Sequence, residues 1–207
     1  MHADRHITLY YAANSRAAGV LLLLRELKAE YTLKLLDLQR NEQRSAEYLA
    51  INPMGKVPAI VHRGALVTEQ VAIYLYLADL YPEAALAPPL GDAHRGPYLR
   101  WMAFYGSAFE PAMVDHALKR TPAPLATSPY GDYESVMRAL TAQLEQGPYF
   151  LGERFSALDL LWGTSINWML QFGLLPKTPL FEDYAGRIAA RAEYVWVKQH
   201  DAQAASA

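Results

Sequence analysis

Residues 52–61, Asn-Pro-Met-Gly-Lys-Val-Pro-Ala-Ile-Val, combine a turn, a strand and a proline in a way that leaves backbone groups unused. The first four residues form a turn cluster, and residues 57–61 are typical of a short buried strand. Because proline cannot donate to a sheet ladder, Pro58 belongs at the beginning of a strand or at an edge. Val57 is therefore expected to keep a free N–H and C=O, which can receive an extended peptide-like ligand. A cis Val57–Pro58 bond would hold that pair outward. The alternative is a plain tight loop.

The composition excludes several kinds of chemistry. The 207 residues include no cysteine, so the protein has no thiol for disulfide exchange and no thiolate for a metal site. Its six histidines are scattered along the chain, and we expect no metal. Neither a glycine-rich phosphate loop nor a nucleophile elbow is present. Any sulfur chemistry must come from a ligand.

Charge and hydropathy limit the partners. The formal net charge of -2 gives no reason to expect nucleic acid or an acidic membrane surface. The longest apolar run, residues 20–24, is far short of the about 20 residues that a membrane span needs. Residues 1–6 are polar and no cleavable apolar segment follows them directly, so we expect a cytoplasmic location.

The N-terminal residues predict a βαβ unit. Residues 7–11 and 32–36 have the composition of strands, and residues 16–29 between them have that of a mostly covered helix. Asn14 or Ser15 is well placed to cap this helix with a side-chain oxygen. A strand, a helix and a second strand within about 30 residues form a unit with parallel strands.

A hairpin and a helix follow. Residues 57–62 and 65–68 are separated by two residues, Arg63 and Gly64, a spacing that suits a tight turn. Thr68 is predicted to cap a helix over residues 69–81. Residues 1–82 therefore predict an α/β domain with a mixed four-stranded sheet.

The second half of the chain is predicted to be all-helical. Residues 83–97 are rich in proline and glycine and predict a linker. Residues 98–207 then form the second domain, with helical patterns at 98–119, 133–146, 157–172 and 180–200. Ser156 and Asp159 predict a capping box at the start of the third pattern, which is apolar nearly all round. The tail from Asp201 is expected to fray.

Three segments resemble the cytosolic glutathione transferases, and the resemblance extends over nearly the whole chain. They are NPMGKVPAIV at 52–61, TEQVAIYLYLADLYP at 68–82 and FSALDLLWG at 155–163. The resemblance implies a thioredoxin-like α/β domain followed by an all-α domain, and a homodimer. It also implies an enzyme that conjugates glutathione to a small hydrophobic electrophile.

The resemblance assigns glutathione-binding roles to four residues. In the family the proline matching Pro58 is cis, and the residue matching Val57 pairs its backbone with the cysteinyl part of glutathione. The residue matching Glu69, with its neighbour Gln70, holds the γ-glutamyl end; the family commonly has serine at the Gln70 position. A helix N-terminus attracts the glutamyl carboxylate, and Glu69 can accept from the ammonium group. The alternative for Glu69 is an acid that stabilises its own helix by about 0.3–1 kcal/mol.

Two further positions match residues that contact the glycyl carboxylate of glutathione in other members. They are Gln43, in a polar loop, and Lys56. The alternative interpretations are a solvated amide and a solvated loop charge.

The resemblance also requires a group that stabilises the glutathione thiolate, since a thiol with a pKa of about 8.5 is only a few per cent ionised near pH 7. Candidate donors are Tyr11, Asn14, Ser15 and Arg16. Serine-type members have their hydroxyl four residues before the matching arginine, where this chain has Ala12, and the cysteine type is excluded. Ser15 and Asn14, at the helix start, are favoured over Tyr11, which strand alternation could equally put in the core. Simple capping is the alternative for Ser15.

An electrophile pocket is expected between the two domains. Its candidate lining residues are Tyr105, Phe109, Met113 and Trp168. Aromatic residues at helical spacing more often form a core, which is the alternative for each of them.

Other functions of the same fold stay open. One is glutathione-dependent reduction of a peroxide or disulfide, or an isomerisation, in the same pocket. Without a cysteine, a reductive cycle needs two glutathione molecules or an external thiol. The other is a non-catalytic binding module, which Ala12 favours.

Overall fold

A four-stranded mixed sheet forms the centre of the N-terminal half of the chain. The computed structural model describes residues 5–121 and 123–204. The strands are β1 (Ile7–Tyr11), β2 (Tyr31–Leu35), β3 (Ala59–His62) and β4 (Ala65–Val67), in the spatial order β2-β1-β3-β4. β1 and β2 are parallel, and the β1–β3 and β3–β4 pairs are antiparallel. The predicted βαβ unit and the mixed, thioredoxin-like sheet are confirmed.

Helices make up most of the remaining structure. They are α1 (Ala17–Glu26), α2 (Ala46–Leu49), α3 (Gln70–Leu80), α4 (Arg95–Phe104), α5 (Glu110–Ala117), α6 (Tyr133–Leu144), α7 (Ala157–Gln171), α8 (Pro179–Ala189) and α9 (Ala192–Ala204). Short 3₁₀ turns lie at Glu42–Arg44 and Pro82–Ala84, and a π-helical segment, Tyr105–Phe109, joins α4 to α5. In the described residues after α3, β-structure is limited to isolated bridges near residues 149–154, so the all-helical prediction is confirmed. Within the same residues no helix is long and apolar enough to cross a membrane.

The β3–β4 hairpin turns on the two predicted residues. Arg63 and Gly64 both have positive φ angles, 51° and 79°. Two successive residues with positive φ form the type I′ turn, whose twist matches that of the flanking strands. β4 pairs with β3 from Ile60 opposite Val67 to His62 opposite Ala65 and forms one edge strand of the sheet.

The chain divides into two compact units. The sheet unit contains the described residues up to 85 and those from 191 onward, and the helical unit contains residues 86–190. The boundary lies inside the predicted linker. The division differs from the predicted one in the last helix, because α9 belongs to the sheet unit.

Ion pairs and a cation–π contact hold α9 against α1 in the sheet unit. The Arg191 guanidinium donates to both carboxylate oxygens of Glu26, at 2.6 and 2.8 Å. Arg25 pairs with Glu193, and its guanidinium carbon lies 3.6 Å from the centre of the Trp196 ring. The bidentate Arg191–Glu26 pair fixes the orientation of the two side chains as well as contributing energy. α9 extends to Ala204, whereas the tail was predicted to fray from Asp201; residues 205–207 of that predicted tail lie outside the described residues.

In the helical unit α7 is the central element. Asp159 accepts from the Ser156 N–H at 2.9 Å, and the two residues form the predicted capping box. The Asp159 carboxylate also accepts from the Phe150 N–H at 2.9 Å and the Tyr184 hydroxyl at 3.0 Å. Burial raises the Asp159 pKa to about 6, and these donors oppose the shift.

Candidate functional site

The loop before β3 is fixed by hydrogen bonds to one carbonyl. The Lys56 carbonyl accepts from the Tyr48 hydroxyl at 2.6 Å and from the Asn52 side-chain amide at 2.8 Å. Asn52 is only 2% exposed, and its other side-chain atom accepts from the Met54 N–H. The Val57–Pro58 peptide bond is cis, as predicted from the resemblance.

The sheet does not use the backbone of Val57. β3 begins at Ala59, opposite Tyr10 of β1, so the predicted strand start at residue 57 is two residues early. Continued by two residues, the antiparallel register sets Val57 level with Ala12. In the part of the chain that the structure describes, neither the N–H nor the C=O of Val57 makes a hydrogen bond. The pair is free to receive an added strand.

The start of α3 has an unusual backbone. Glu69, at the N-cap position, has φ 62° and ψ 115° and an exposed side chain. Such a conformation costs a residue with a side chain about 1–3 kcal/mol and clusters at ligand sites. The prediction that Thr68 caps this helix is wrong, since the helix begins one residue later.

Gln70 joins the start of α3 to the start of α1. Its side-chain nitrogen donates to the Arg16 carbonyl at 3.3 Å. Its side-chain oxygen is buried and has no partner among the described residues. The hydrogen bond from Gln70 to Arg16 joins residues 69–70 to residues 12–16, which we call the β1–α1 turn. The register of β1 and β3, continued past Ala59, sets Val57 level with the start of that turn.

The Ser15 hydroxyl is occupied within the β1–α1 turn. It donates to the Ala12 carbonyl at 2.7 Å and accepts from the Ala17 N–H at 3.1 Å. The geometric N-cap is Arg16, but Ser15 supplies the side-chain oxygen for the first turn of α1. Ser15 thus performs the capping role that was the alternative to catalysis.

Asn14 and Tyr11 differ sharply in exposure. Asn14 is exposed, has a φ of 54°, and its side-chain amide makes no hydrogen bond with any described residue. Tyr11 is fully buried, and its hydroxyl donates to Asp201. Of Tyr11, Asn14 and Ser15, Asn14 is the one whose side-chain donor is exposed and makes no hydrogen bond with the described residues.

Asp201 is the residue that sequence reasoning missed. It is 2% exposed and accepts from the Tyr11 hydroxyl through Oδ1 and from the Asn14 N–H through Oδ2 at 3.3 Å. Burial raises its pKa to about 6, and the hydrogen bond from Asn14 opposes the shift. A signal was available in the sequence, because Tyr194, Val197 and Asp201 lie at helical spacing on one buried face of α9.

Gln43 and Lys56 lie on neighbouring loops. Gly55, with a φ of 58°, permits the approach, because a Cβ atom there would lie 2.7 Å from the Gln43 carbonyl oxygen. The Gln43 side-chain nitrogen is 3.4 Å from the Asn41 side-chain oxygen, and its own oxygen has no partner among the described residues. Lys56 is exposed.

Comparison with known proteins shows a similarity to the glutathione transferases. The model of the glutathione S-transferase N-terminal domain matches residues 5–79. The glutathione S-transferase GstA of Escherichia coli O157:H7 is 26% identical over 162 residues, covering 77% of this chain and 81% of its own. A solved glutathione transferase homologue from Sulfitobacter, with bound glutathione, is 25% identical with a TM-score of 0.76, covering 95% and 98% of the two chains.

Residues 5–79 thus match the glutathione S-transferase N-terminal domain, and over most of its length the chain is similar to glutathione transferases. A further relative is the disulfide-bond oxidoreductase YfcG of Escherichia coli K12, 28% identical over 199 residues, which cover 89% of this chain and 91% of YfcG. The region that matches the family model contains every sheet-unit residue of the candidate site except Asp201.

The predicted electrophile-pocket residues all belong to the helical unit. Tyr105, Phe109 and Met113 are at most 3% exposed, and the first two pack on the Trp162 ring with centroids 5.2 and 4.7 Å away. Trp168 is 46% exposed and lies against Phe172. The pocket stays a prediction, and core packing accounts for the three buried side chains. No group of three or more potential metal ligands occurs among the described residues.

Proposed function

We propose that this protein binds glutathione and conjugates it to a small hydrophobic electrophile. The free backbone pair of Val57, beside a cis proline and level with the β1–α1 turn, carries the proposal. Glutathione is an extended peptide with charged ends and a central thiol. The bound glutathione in the Sulfitobacter homologue supports this choice of ligand.

Each end of glutathione has a complementary group in the proposed complex. The cysteinyl backbone pairs with Val57 as an added strand. Glu69 accepts from the γ-glutamyl ammonium group, and the N-terminus of α3 beside Gln70 attracts the adjoining carboxylate. Lys56 and Gln43 meet the glycyl carboxylate. The unsatisfied side-chain oxygens of Gln43 and Gln70 are acceptors for ligand N–H groups or water.

The proposed chemical step is the attack of a stabilised thiolate on the electrophile. Lowering the thiol pKa by two would require about 2.7 kcal/mol of differential stabilisation and would raise the thiolate fraction at pH 7 roughly 25-fold. The Asn14 side-chain amide, at the N-terminal end of α1, supplies the hydrogen bond to sulfur in this proposal. The electrophile then binds in the apolar pocket to which Tyr105, Phe109, Met113 and Trp168 are assigned. A cytoplasmic homodimer that needs no metal is part of the same proposal.

Glutathione-dependent disulfide reduction is the second candidate, favoured by the similarity to YfcG. In that reaction the thiolate of one glutathione attacks the substrate disulfide, which releases one substrate thiol and leaves a mixed disulfide. A second glutathione then attacks the mixed disulfide, releasing the other thiol and oxidised glutathione. The protein supplies no sulfur of its own, because it has no cysteine.

Calorimetric titration with glutathione and with cysteinylglycine, which lacks the γ-glutamyl group, tests the binding geometry. We expect Glu69→Gln to weaken glutathione binding by about 10-fold and cysteinylglycine binding by less than about twofold, since a hydrogen bond to a charged group is lost only with glutathione. Glu47→Gln, an exposed acid on α2, is the matched control and should change neither affinity. Absence of glutathione binding, or equal losses for both ligands, would contradict the proposal.

Turnover assays separate the two reactions. The conjugation proposal predicts that a panel of apolar electrophiles consumes glutathione without producing its oxidised form. The reductase proposal predicts one oxidised glutathione for each disulfide reduced. A protein that binds glutathione and catalyses neither reaction would be the non-catalytic binding module, the alternative that Ala12 favours.

A further inference from the structure

We propose that Asp201 is a positioning residue, which holds the β1–α1 turn so that the Asn14 side chain meets the sulfur of bound glutathione. The inference rests on the proposed function for its ligand. It goes further in assigning a role in thiolate stabilisation to the last helix, which lies outside the region matched by the family model.

The two hydrogen bonds of Asp201 reach the first and last residues of the segment 11–14. Tyr11 ends β1, and Asn14 lies three residues later with its N–H directed to the second carboxylate oxygen. Asn14 adopts a positive φ of 54°, a conformation that non-glycine residues adopt less readily and that asparagine tolerates best. A carboxylate that accepts from the Asn14 main chain favours this conformation over extended ones. The side-chain amide is thereby left free.

The same arrangement assigns Tyr11 its role. The Tyr11 hydroxyl proton is directed at Asp201, and the side chain is fully buried, so this hydroxyl is not the donor to sulfur. Tyr11 instead helps to satisfy a buried carboxylate, which would be costly to leave without donors. Tyr11 and Asp201 thus position the turn, while Asn14 contacts the ligand.

The carboxylate is itself held in place by its helix. Two ion pairs, Arg25 with Glu193 and Arg191 with Glu26, fix the first half of α9 on α1. Tyr194 and Val197 are buried on the face that also carries Asp201. Because α9 is anchored independently of the turn, Asp201 is a fixed point to which the turn is tied.

The test compares three variants. Asp201→Ala removes both hydrogen bonds. Asp201→Asn keeps one side-chain oxygen as an acceptor, and its amide nitrogen can donate a hydrogen bond to the Tyr11 hydroxyl oxygen. Glu193→Gln weakens the docking of the same helix without touching the turn. The readouts are the pKa of the bound glutathione thiol by ultraviolet absorbance, the affinity by calorimetry, and hydrogen exchange in the peptide that spans residues 11–16.

We expect Asp201→Ala to raise the bound thiol pKa by about 1, equivalent to about a 10-fold weaker preference for thiolate. The glutathione Kd measured at about pH 5.5, where the bound thiol is mostly protonated, should change by less than about twofold. Exchange at residues 11–16 should accelerate at least about 10-fold. Asp201→Asn should recover most of both effects, and Glu193→Gln should cause neither. If the alanine variant does not fold, Asp201→Leu, which fills the space without accepting hydrogen bonds, takes its place.

The outcomes distinguish this inference from the proposed function. Unchanged exchange at residues 11–16 in Asp201→Ala, or an equal effect of Glu193→Gln, would overturn the positioning role even if the enzyme is active. A wild-type protein that does not lower the thiol pKa would overturn the proposed function, and with it any action of Asp201 on sulfur.

Discussion

Asn14 and Ser15 are adjacent in the β1–α1 turn, yet only one of them has an unused side-chain donor. Ser15 bonds to Ala12 and Ala17, whereas the Asn14 amide has no partner among the described residues. We therefore expect Asn14→Ala to lower kcat for conjugation by about 10-fold or more, with KM for glutathione changed by less than about twofold, because the lost bond forms mainly to the charged thiolate.

The matched variant Ser15→Ala should act on stability instead. Loss of the capping oxygen should lower the free energy of unfolding by about 1 kcal/mol, while kcat changes by less than about threefold. Steady-state kinetics and urea unfolding measure the two effects. Full activity in Asn14→Ala together with loss of activity in Tyr11→Phe would show that the thiolate donor has been assigned to the wrong residue.

Asp201 also predicts a dependence of stability on pH. Its pKa is raised from the ordinary value of 3.8 to about 6, so between these values the folded protein keeps a proton that the unfolded chain loses. The contribution of Asp201 to the free energy of unfolding is therefore fully present below about pH 4 and is lost as the pH rises through about 6. Subtracting the urea-unfolding curves of Asp201→Asn from those of the wild type, pH by pH, isolates this slope. A flat difference would contradict the raised pKa.

At the residue scale, the sequence predicted the parts of the site that rest on local chemistry. Val57 could be singled out because Pro58 interrupts the strand, and Asn14 and Ser15 because helix starts need side-chain oxygens. Asp201 could not be found in this way, since its partners lie 190 and 187 residues earlier in the chain. Only the helical spacing from Tyr194 and Val197 indicated that it would be buried.

At the element scale, α7 and α8 approach closely at a glycine. A Cβ atom on Gly163 would lie 2.3 Å from Cγ1 of Ile188. We expect Gly163→Ala to lower the free energy of unfolding by about 1–3 kcal/mol through overpacking. Gly186→Ala, on α8 with open space around it, is the matched control and should be neutral or stabilising by up to about 1 kcal/mol.

Chemical denaturation of both variants and of the double variant Gly163→Ala/Ile188→Ala tests the cause. Ile188→Ala, measured alone and in the double variant, removes Cγ1 but keeps Cβ, which would lie 2.8 Å from the added methyl group. It should therefore relieve part of the penalty, so the two changes should be non-additive. Additive losses would mean that the contact between Gly163 and Ile188 is not the source of the effect.

The differences between predicted and observed elements have physical causes. The predicted helix over residues 98–119 is divided by the π-helical segment Tyr105–Phe109, where the hydrogen bonds change locally from i→i+4 to i→i+5. α3 begins after Glu69, whose strained backbone no propensity rule anticipates. The end of α9 is held by Asp201, which accepts from Tyr11 and Asn14 in a distant part of the chain.

At the scale of the whole molecule, the homodimer stays a prediction from the family resemblance. A sizing measurement combined with light scattering should give about twice the chain mass of 23.2 kDa at micromolar concentration. A mass equal to one chain across the accessible concentration range would exclude the dimer, without bearing on whether one chain binds glutathione.

The absence of cysteine makes the central claim directly measurable, because the only thiol in the complex belongs to the ligand. The decisive measurement is the ultraviolet absorbance of the thiolate in the glutathione complex, titrated with pH against free glutathione and against the complex of Asn14→Ala. The proposed function predicts that bound glutathione ionises well below the free thiol value of about 8.5, and that Asn14→Ala moves the transition back toward it. Bound glutathione that titrates no lower than the free thiol would contradict the claim that this protein activates glutathione.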